Sequence, residues 1–418
     1  MNRKIGNLFK GDKGIWMVFL FLCIISVVEV FSASSTLSYK SQNYMGPLIY
    51  HSGMIIFGLF VAIVTLNIPC RYFKLATPFL LFISFFTLLW VLIGGESING
   101  ANRVIRLAGF TFQPSEIAKG TLVLATAQIL SAMQRSDGSG ADPKAMKYIL
   151  YLVIPAVLLI GKENLSTALL LFTVIYIMMF LGRVPLKQMG ILTGVSVLLA
   201  SLFLILVFTI AKLDKEGQEM EQNPELTEKV IAQQSNTEKT AWDKLTHRFW
   251  TWKNRIVKKS DKGVPAEEYK VRDDNFQVTH ANIAIASSNI IGKGPGNSTE
   301  RDYLPQAFSD FIYAIIIEEM GILGAIAVVF LYVVLLFRCA RIAGQCENNF
   351  PAFLVLGLAL LLGIQAAINM MVAVDFGIVT GQPLPLISKG GTSTIINCAY
   401  IGVILSVSRS AKKIEAKS

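Results

Sequence analysis

Apolar residues in this chain come in long unbroken blocks and do not alternate with polar ones. Ten blocks approach or exceed the roughly 20 residues that a helix needs to cross a bilayer. They lie at 15–34, 47–66, 74–94, 114–133, 148–161, 165–182, 189–213, 308–337, 350–373 and 391–408. Short polar turns separate most of them, whereas 214–307 is long and polar. This pattern predicts an all-α, polytopic integral membrane protein of about ten transmembrane helices, with one long extracytoplasmic loop between helices seven and eight. The predicted organisation is a tail at 1–14, helices one to seven over 15–213, the loop at 214–307, helices eight to ten over 308–408, and a tail at 409–418. Pro155 interrupts the short block at 148–161, which predicts a short helix or a segment that does not cross fully.

Composition points the same way. Of 418 residues, 53% are apolar and only 16% charged, against about a quarter charged in soluble domains. The formal charge is +10. Arg3, Lys4, Lys10 and Lys13 lie in one tail and Arg409, Lys412, Lys413 and Lys417 in the other; Arg71, Arg135, Arg183 and Arg338 lie in loops on the same side. The short loops opposite hold only Lys40, Arg103, Arg106, Lys162 and Lys389. Inner loops of membrane proteins are enriched in Lys and Arg, so both termini are expected in the cytoplasm, and the excess charge needs no nucleic-acid partner. The first block is full length with no clear small-residue cleavage site after it, which predicts a helix and not a cleaved leader. None of the five cysteines falls in an outer loop, and the three histidines are scattered, so neither a disulfide framework nor a metal site is expected.

The long loop changes sign along its length. Residues 214–238 hold seven acidic side chains against two lysines; residues 239–270 hold nine basic against four acidic. Trp242, Leu245, Phe249, Trp252 and Ile256 recur at helical spacing beside Arg248, Lys253 and Arg255. This predicts either a helix lying in the membrane interface or one packed on the rest of the loop. Its basic side could meet lipid phosphates or a partner protein.

Charged groups within spans are costly, so each is a functional hypothesis. Glu116 and Lys119 follow Pro114 at a helix start and share a face, either as a brace for the bundle or as a working pair. Arg103 and Arg106 lie in an outer loop and suit phosphate, which a guanidinium grips with two bonds; they also fit solvated loop charges. The glycine run Gly292–Ser298 permits tight turns and is weak evidence for phosphate binding. Asp310 stands at the mouth of helix eight between Phe308 and Phe311, either as a general base or as a helix cap. Glu318, about 12 Å deeper on a straight helix, is expected to be structural. Two prolines and two glycines in 380–393 describe a re-entrant turn in which Ser388 and Lys389 line a cavity.

The stretches QPSEIAK (113–119), GKGPGNS (292–298), YLPQAFSDFIYAIIIEEMGILGA (303–325) and TGQPLPLISKGGTS (380–393), in this order, resemble the signatures of the SEDS family (shape, elongation, division and sporulation). The Gly296-Asn297-Ser298 stretch is more similar to the division member than to the elongation member. The resemblance implies a peptidoglycan glycosyltransferase that polymerises lipid II on the outer face of the bacterial cytoplasmic membrane, at the septum. It also implies a class B penicillin-binding protein and other division proteins as partners. The family's essential aspartate falls on Asp310, its glutamate and lysine in span four on Glu116 and Lys119, and the acidic position eight earlier on Asp302. On this reading Arg103, Arg106, Arg248 and Lys389, or a divalent cation (Mg or Mn), meet the diphosphate. Departures fall at Val104, where the family has Trp; at Asn164, where it has Asp; at Phe308-Ser309, where it has His-Thr; and at Lys389, where it has Tyr. The alternatives are the elongation-type enzyme, a lipid II flippase or transporter, and a non-catalytic scaffold.

Overall fold

The computed structural model describes residues 10–34, 45–98, 101–107, 110–221, 275–304, 307–377 and 379–411. The predicted interface helix at 242–256, with Arg248, lies outside the described residues.

Asp12 accepts a hydrogen bond from the Ile15 N–H (3.0 Å) and so starts α1, Lys13–Ala33. Gly46–Asn67 (α2) and Cys70–Gly94 (α3) follow. Pro114 opens α4, Pro114–Ala132, where its missing N–H costs nothing. Lys144–Glu163 (α5) runs unbroken through Pro155, so the expectation of a short or incomplete fifth span is corrected. A proline is tolerated in such a helix because neighbouring groups meet the freed carbonyl. Asn164 then caps α6, Leu165–Leu181, by accepting from the Thr167 N–H at 3.2 Å. An asparagine caps as well as the family's aspartate, which accounts for that departure. Leu186–Glu221 (α7), Phe276–Ala286 (α8), Ile312–Gly344 (α9), Asn349–Ala373 (α10) and Thr392–Ser410 (α11) complete the helices among the described residues. Apart from the short α8, these helices match the ten predicted blocks.

Among the described residues, seven helices are long and apolar enough to cross a membrane on length and composition alone. The chain is a multi-pass membrane protein. Large apolar side chains such as Phe57, Phe79, Phe82 and Ile93 are exposed, as hydrocarbon-facing residues must be. The chain forms two units, 1–186 with 277–418, and 187–276. The second unit holds α7, which continues eight residues past the predicted end of its block.

Small residues let helices in the first unit approach closely. A Cβ on Gly402 would stand 2.6 Å from the Ala62 carbonyl, and one on Gly58 2.7 Å from Cys398 Sγ, so α2 and α11 pack nearly backbone to backbone. Asp12 links three helices at one end of the bundle: its carboxylate lies 3.5 Å from Arg338 of α9, and its N–H donates to Ser408 of α11 at 3.0 Å. Between α3 and α4, which meet at the opposite end, the chain makes a three-stranded antiparallel meander of Glu96–Ile98 (β1), Ala101–Leu107 (β2) and Phe110–Phe112 (β3). The sequence reading had a loop there.

Helix α9 is broken at Gly321, whose φ of 69° and ψ of −169° suit glycine alone. Tyr313 O–H reaches the Ala325 carbonyl at 3.2 Å. Twelve residues of straight helix would separate them by about 18 Å, so the chain bends sharply at the break. Residues 289–294 splice into the gap. Lys293 and Gly294 N–H groups donate to the Glu318 and Glu319 carbonyls at 2.9 and 2.8 Å; Ile322 and Leu323 N–H groups donate to the Asn289 and Ile290 carbonyls at 3.3 Å each. A Cβ on Gly292 would sit 2.2 Å from the Glu319 carbonyl, so only glycine fits.

The same loop encloses two fully buried carboxylates. Glu318 accepts from Lys293 Nζ (2.6 Å), the Thr299 N–H (3.0 Å) and Thr299 Oγ1 (2.9 Å). Glu319 accepts from the Gly296 N–H (3.0 Å), the Ser298 N–H (3.2 Å) and Ser32 Oγ. The glycine run is therefore a splint for the broken helix. The reading of Glu318 as structural holds, but its depth does not: Glu319 meets Ser32 in the last turn of α1, so the pair sits at the helix end.

Candidate active site

The sequence Gln382-Pro383-Leu384-Pro385 cannot continue a helix, because its two prolines lack N–H donors. The chain between α10 and α11 therefore folds as an irregular, largely buried loop. Gly381 (φ 63°), Leu386 (φ 68°) and Gly391 (φ 51°) turn it through left-handed backbone. Such a segment survives burial only if its polar groups find partners. Side chains from the surrounding helices supply them. Gln365 Nε2 donates to the Pro383 carbonyl (3.0 Å), Asn369 Nδ2 to the Gln382 carbonyl (2.8 Å) and Ser26 Oγ to the Ile387 carbonyl (2.6 Å). Tyr332 O–H donates to the Pro385 carbonyl. Gln382 Nε2 donates to Thr167 Oγ1 at 2.9 Å, and His51 Nε2 lies 2.8 Å from Ser26 Oγ.

Residues 308–310 lie along this loop. The Lys389 N–H donates to the Phe308 carbonyl at 2.9 Å, and Ser388 Oγ to the Ser309 carbonyl at 2.6 Å. Asn369 Nδ2 donates to the Asp310 carbonyl at 2.8 Å. Ser309 Oγ donates to Asp310 Oδ1 at 2.9 Å, and a Cβ built on Gly381 would stand 3.4 Å from Asp310 Oδ2. The Asp310 carboxylate thus rests against the loop backbone and is half-buried. It does not cap α9: the N-cap position is Phe311, with no side-chain cap bond, so the capping alternative is removed. Lys389 Nζ sits 4.8 Å from the centroid of the Phe308 ring, a cation–π placement. The two departures from the family pattern, Phe308 and Lys389, therefore meet each other. Burial lowers the Lys389 pKa below the ordinary lysine value.

A second layer lies one to three helical turns further in. Lys119 Nζ is 2.9 Å from Glu116 and donates to Gln365 Oε1 at 2.8 Å, with both charged side chains almost wholly buried. Tyr400 O–H donates to the Glu116 carbonyl at 2.6 Å and fixes the first turn of α4. Through Gln365 this ion pair is one side chain removed from the Pro383 carbonyl. What the Glu116–Lys119 pair braces, through Gln365, is the loop beside Asp310.

The remaining predicted residues are less central. Arg106 is exposed and pairs across β2–β3 with Thr111, so the two share a face. Thr111 Oγ1 would be 3.8 Å from a Cβ on Gly391, which brings that face to the loop's far end. Arg103 lies in β2, and Val104 beside it is buried. Asp302 ends a short 3₁₀ turn, Glu300–Asp302, exposed and 3.8 Å from Arg301. It belongs to the splint loop.

Sequence reasoning missed Gln365, Asn369 and Gln382. The first two stand four apart in an apolar span, a polar stripe on one helix face. That stripe was legible in the sequence, although sequence reasoning gave it no role. It also passed over Glu29, fully buried in α1 with no hydrogen-bond partner for its carboxylate among the described residues.

The family model described as Cell cycle protein, FTSW_RODA_SPOVE, matches residues 12–219 and 246–413. The chain belongs to this family. Among its FtsW relatives, a probable peptidoglycan glycosyltransferase FtsW of Geobacter sp. (strain M18) is 27% identical over 412 residues, covering 95% of this chain and 96% of that protein. A protein of the same name from Marinobacter nauticus is 31% identical over 389 residues, covering 92% and 84%. Two solved structures share the fold. A chain of a peptidoglycan synthase complex that coordinates polymerisation and crosslinking overlays with a TM-score of 0.66 at 23% identity, covering 96% of this chain and 98% of that one. The rod shape determining protein RodA of Thermus thermophilus gives 0.61 at 22%, covering 97% and 99%.

Proposed function

We infer that this chain is a peptidoglycan glycosyltransferase of the FtsW, division type, and that Asp310 is its general base. The family membership and the FtsW relatives support the activity. The observation that carries the assignment of the base is the half-buried Asp310 carboxylate, which accepts from Ser309 Oγ and ends a segment whose Phe308 and Ser309 carbonyls are bonded by Lys389 and Ser388 of the irregular loop.

In this reaction the 4-hydroxyl of a GlcNAc on one lipid II attacks the anomeric carbon of MurNAc on a lipid-linked donor. The bond from that carbon to the diphosphate breaks, undecaprenyl diphosphate leaves, and the anomeric centre inverts. A sugar hydroxyl is a poor nucleophile at neutral pH. A carboxylate that takes its proton during attack contributes typically about 10²–10⁴-fold. Asp310 has the chemistry and the fixed position for that role. The leaving diphosphate gathers negative charge, which fixed cations stabilise. Lys389 is the nearest candidate, with Arg106 on the adjoining hairpin and Arg103 and Arg248 as further ones. Ser388 positions the Ser309 carbonyl, and Glu116 and Lys119 hold the loop from within. Asp302 acts with the splint loop.

A divalent cation such as Mg or Mn would accompany the diphosphate. Among the described residues there is no group of three His, Cys, Asp or Glu that could hold a metal. The prenyl tails can stay in lipid, which accounts for an active site built into a membrane bundle. The basic tails and inner loops support a topology with both termini in the cytoplasm and the Asp310 end at the outer face, where a class B penicillin-binding protein and other division proteins would take up the product at the septum.

The test is polymerisation of lipid II by the purified full-length chain, with and without its cognate penicillin-binding protein, in parallel with a flux assay. Polymer formation that depends on this chain supports the proposal. Lipid movement without polymer would make it a transporter instead.

A further inference from the structure

Asn369 holds two segments of the site at once. It stands one turn before the end of α10 and is about 1% exposed. Its Nδ2 donates to two backbone carbonyls at once, those of Asp310 and Gln382, each at 2.8 Å. This fixes the orientation of the amide, because the reversed form would set its oxygen against both carbonyls. Gln382 follows Gly381, the residue whose backbone lies against the Asp310 carboxylate. One amide group therefore joins the carbonyl of the base to the loop that flanks that base.

Three further features show that this is a fixed point. Asn369 Oδ1 is buried with no partner among the described residues, so the residue is not there to satisfy its own side chain. The Gln382 side chain is anchored separately to Thr167 on α6 at 2.9 Å, and Gln365, one turn below Asn369, holds Pro383 at 3.0 Å. The helices thus hold the loop at consecutive residues, 382 and 383, and Asn369 also holds Asp310.

We propose that Asn369 is a positioning residue for the transfer reaction, setting the place of the Asp310 carboxylate relative to the acceptor sugar by tying the Asp310 and Gln382 carbonyls together. This rests on the reading of Asp310 as the base. Asn369 does not touch substrate. Its effect is geometric: an error of about 1 Å at a reacting group can cost about 10²-fold in rate.

The experiment uses the full-length protein in proteoliposomes with lipid II, comparing Asn369→Ala, Asn369→Ser, Asp310→Ala and Ser406→Ala. Ser406 donates to the Ile68 carbonyl at the opposite end of α11 and serves as the control for loss of a buried hydrogen bond. Initial rates are taken against lipid II concentration and normalised to folded protein. The expected result is a 10- to 100-fold fall in kcat for Asn369→Ala with KM within about twofold of wild type. Asn369→Ser, which keeps one donor, is expected to fall between Asn369→Ala and wild type, and Ser406→Ala to keep wild-type kcat. A kcat for Asn369→Ala equal to that of Ser406→Ala, a rise in KM alone, or failure of both Asn369 variants to fold would overturn the proposal. Activity in Asp310→Ala would instead overturn the assignment of the base, so the two failures are distinguishable.

Discussion

Lys119→Met is the most informative perturbation of the buried layer. Lys119 and Glu116 are 1% and 4% exposed and 2.9 Å apart. At an effective dielectric of about 20, that separation corresponds to about 6 kcal/mol of Coulomb attraction. Methionine keeps most of the volume and removes the charge, so the dominant change is the Glu116 carboxylate left buried without a cation. Breaking a buried pair from one side costs about 3–5 kcal/mol, whereas replacing both partners by neutral groups of similar shape is often neutral. Gln365 Oε1 also loses its donor, worth about 1 kcal/mol more. The expected order of apparent melting temperature, read as loss of the monodisperse species in detergent, is wild type close to Glu116→Gln/Lys119→Met, and both well above Lys119→Met. Lys119→Met is also expected to lose polymerisation, because Gln365 carries the disturbance to Pro383. A single variant as stable as wild type, or a double variant no better than the single, would refute the reasoning that the pair acts as one neutral unit.

Two other perturbations probe the splint and the cation. Gly321→Ala forces a side chain into left-handed backbone, at about 1–3 kcal/mol, and places its Cβ 2.3 Å from the Ile290 carbonyl; its apparent melting temperature is expected to fall, and an unchanged value would show that residues 289–294 do not brace the break. Because burial lowers the Lys389 pKa, the folded protein loses this charge at a lower pH than a free lysine would. Wild-type activity should therefore decline as pH rises through that lowered pKa. In Lys389→Arg, which stays charged, the decline should move to higher pH, whereas coincident alkaline limbs would remove Lys389 as the cation that meets the diphosphate.

The spans were legible because a membrane helix is written as a long apolar run, and nothing in 15–34 or 350–373 competes with that signal. Pro155 misled because the rule that proline ends a helix was learned in water, where no neighbouring helix meets the freed carbonyl. The meander at 96–112 was missed because its strands are three to seven residues long and carry no sustained alternation. The depth of Glu318 went wrong because α9 was taken as one span running inward from Asp310, whereas the break at Gly321 gives its first segment a direction of its own, and a single glycine in the left-handed region has no local signature. The same error hid the purpose of Gly292–Ser298, whose partner is the break itself. Asp310, Ser388 and Lys389 were legible as chemistry, and the structure brings them together. Asn369 and Gln365 were legible as a polar stripe in an apolar span, but their purpose was not, because the carbonyls they serve belong to segments distant in sequence.

The most direct test of the account is the rate of lipid II polymerisation by Asp310→Asn, measured on the full-length protein with and without its penicillin-binding protein. Asparagine keeps the shape of the side chain and the bond from Asn369 to the backbone, yet cannot accept the proton. The account predicts a loss of about 10²–10⁴-fold with an unchanged apparent melting temperature. Polymer formation at the wild-type rate would contradict it.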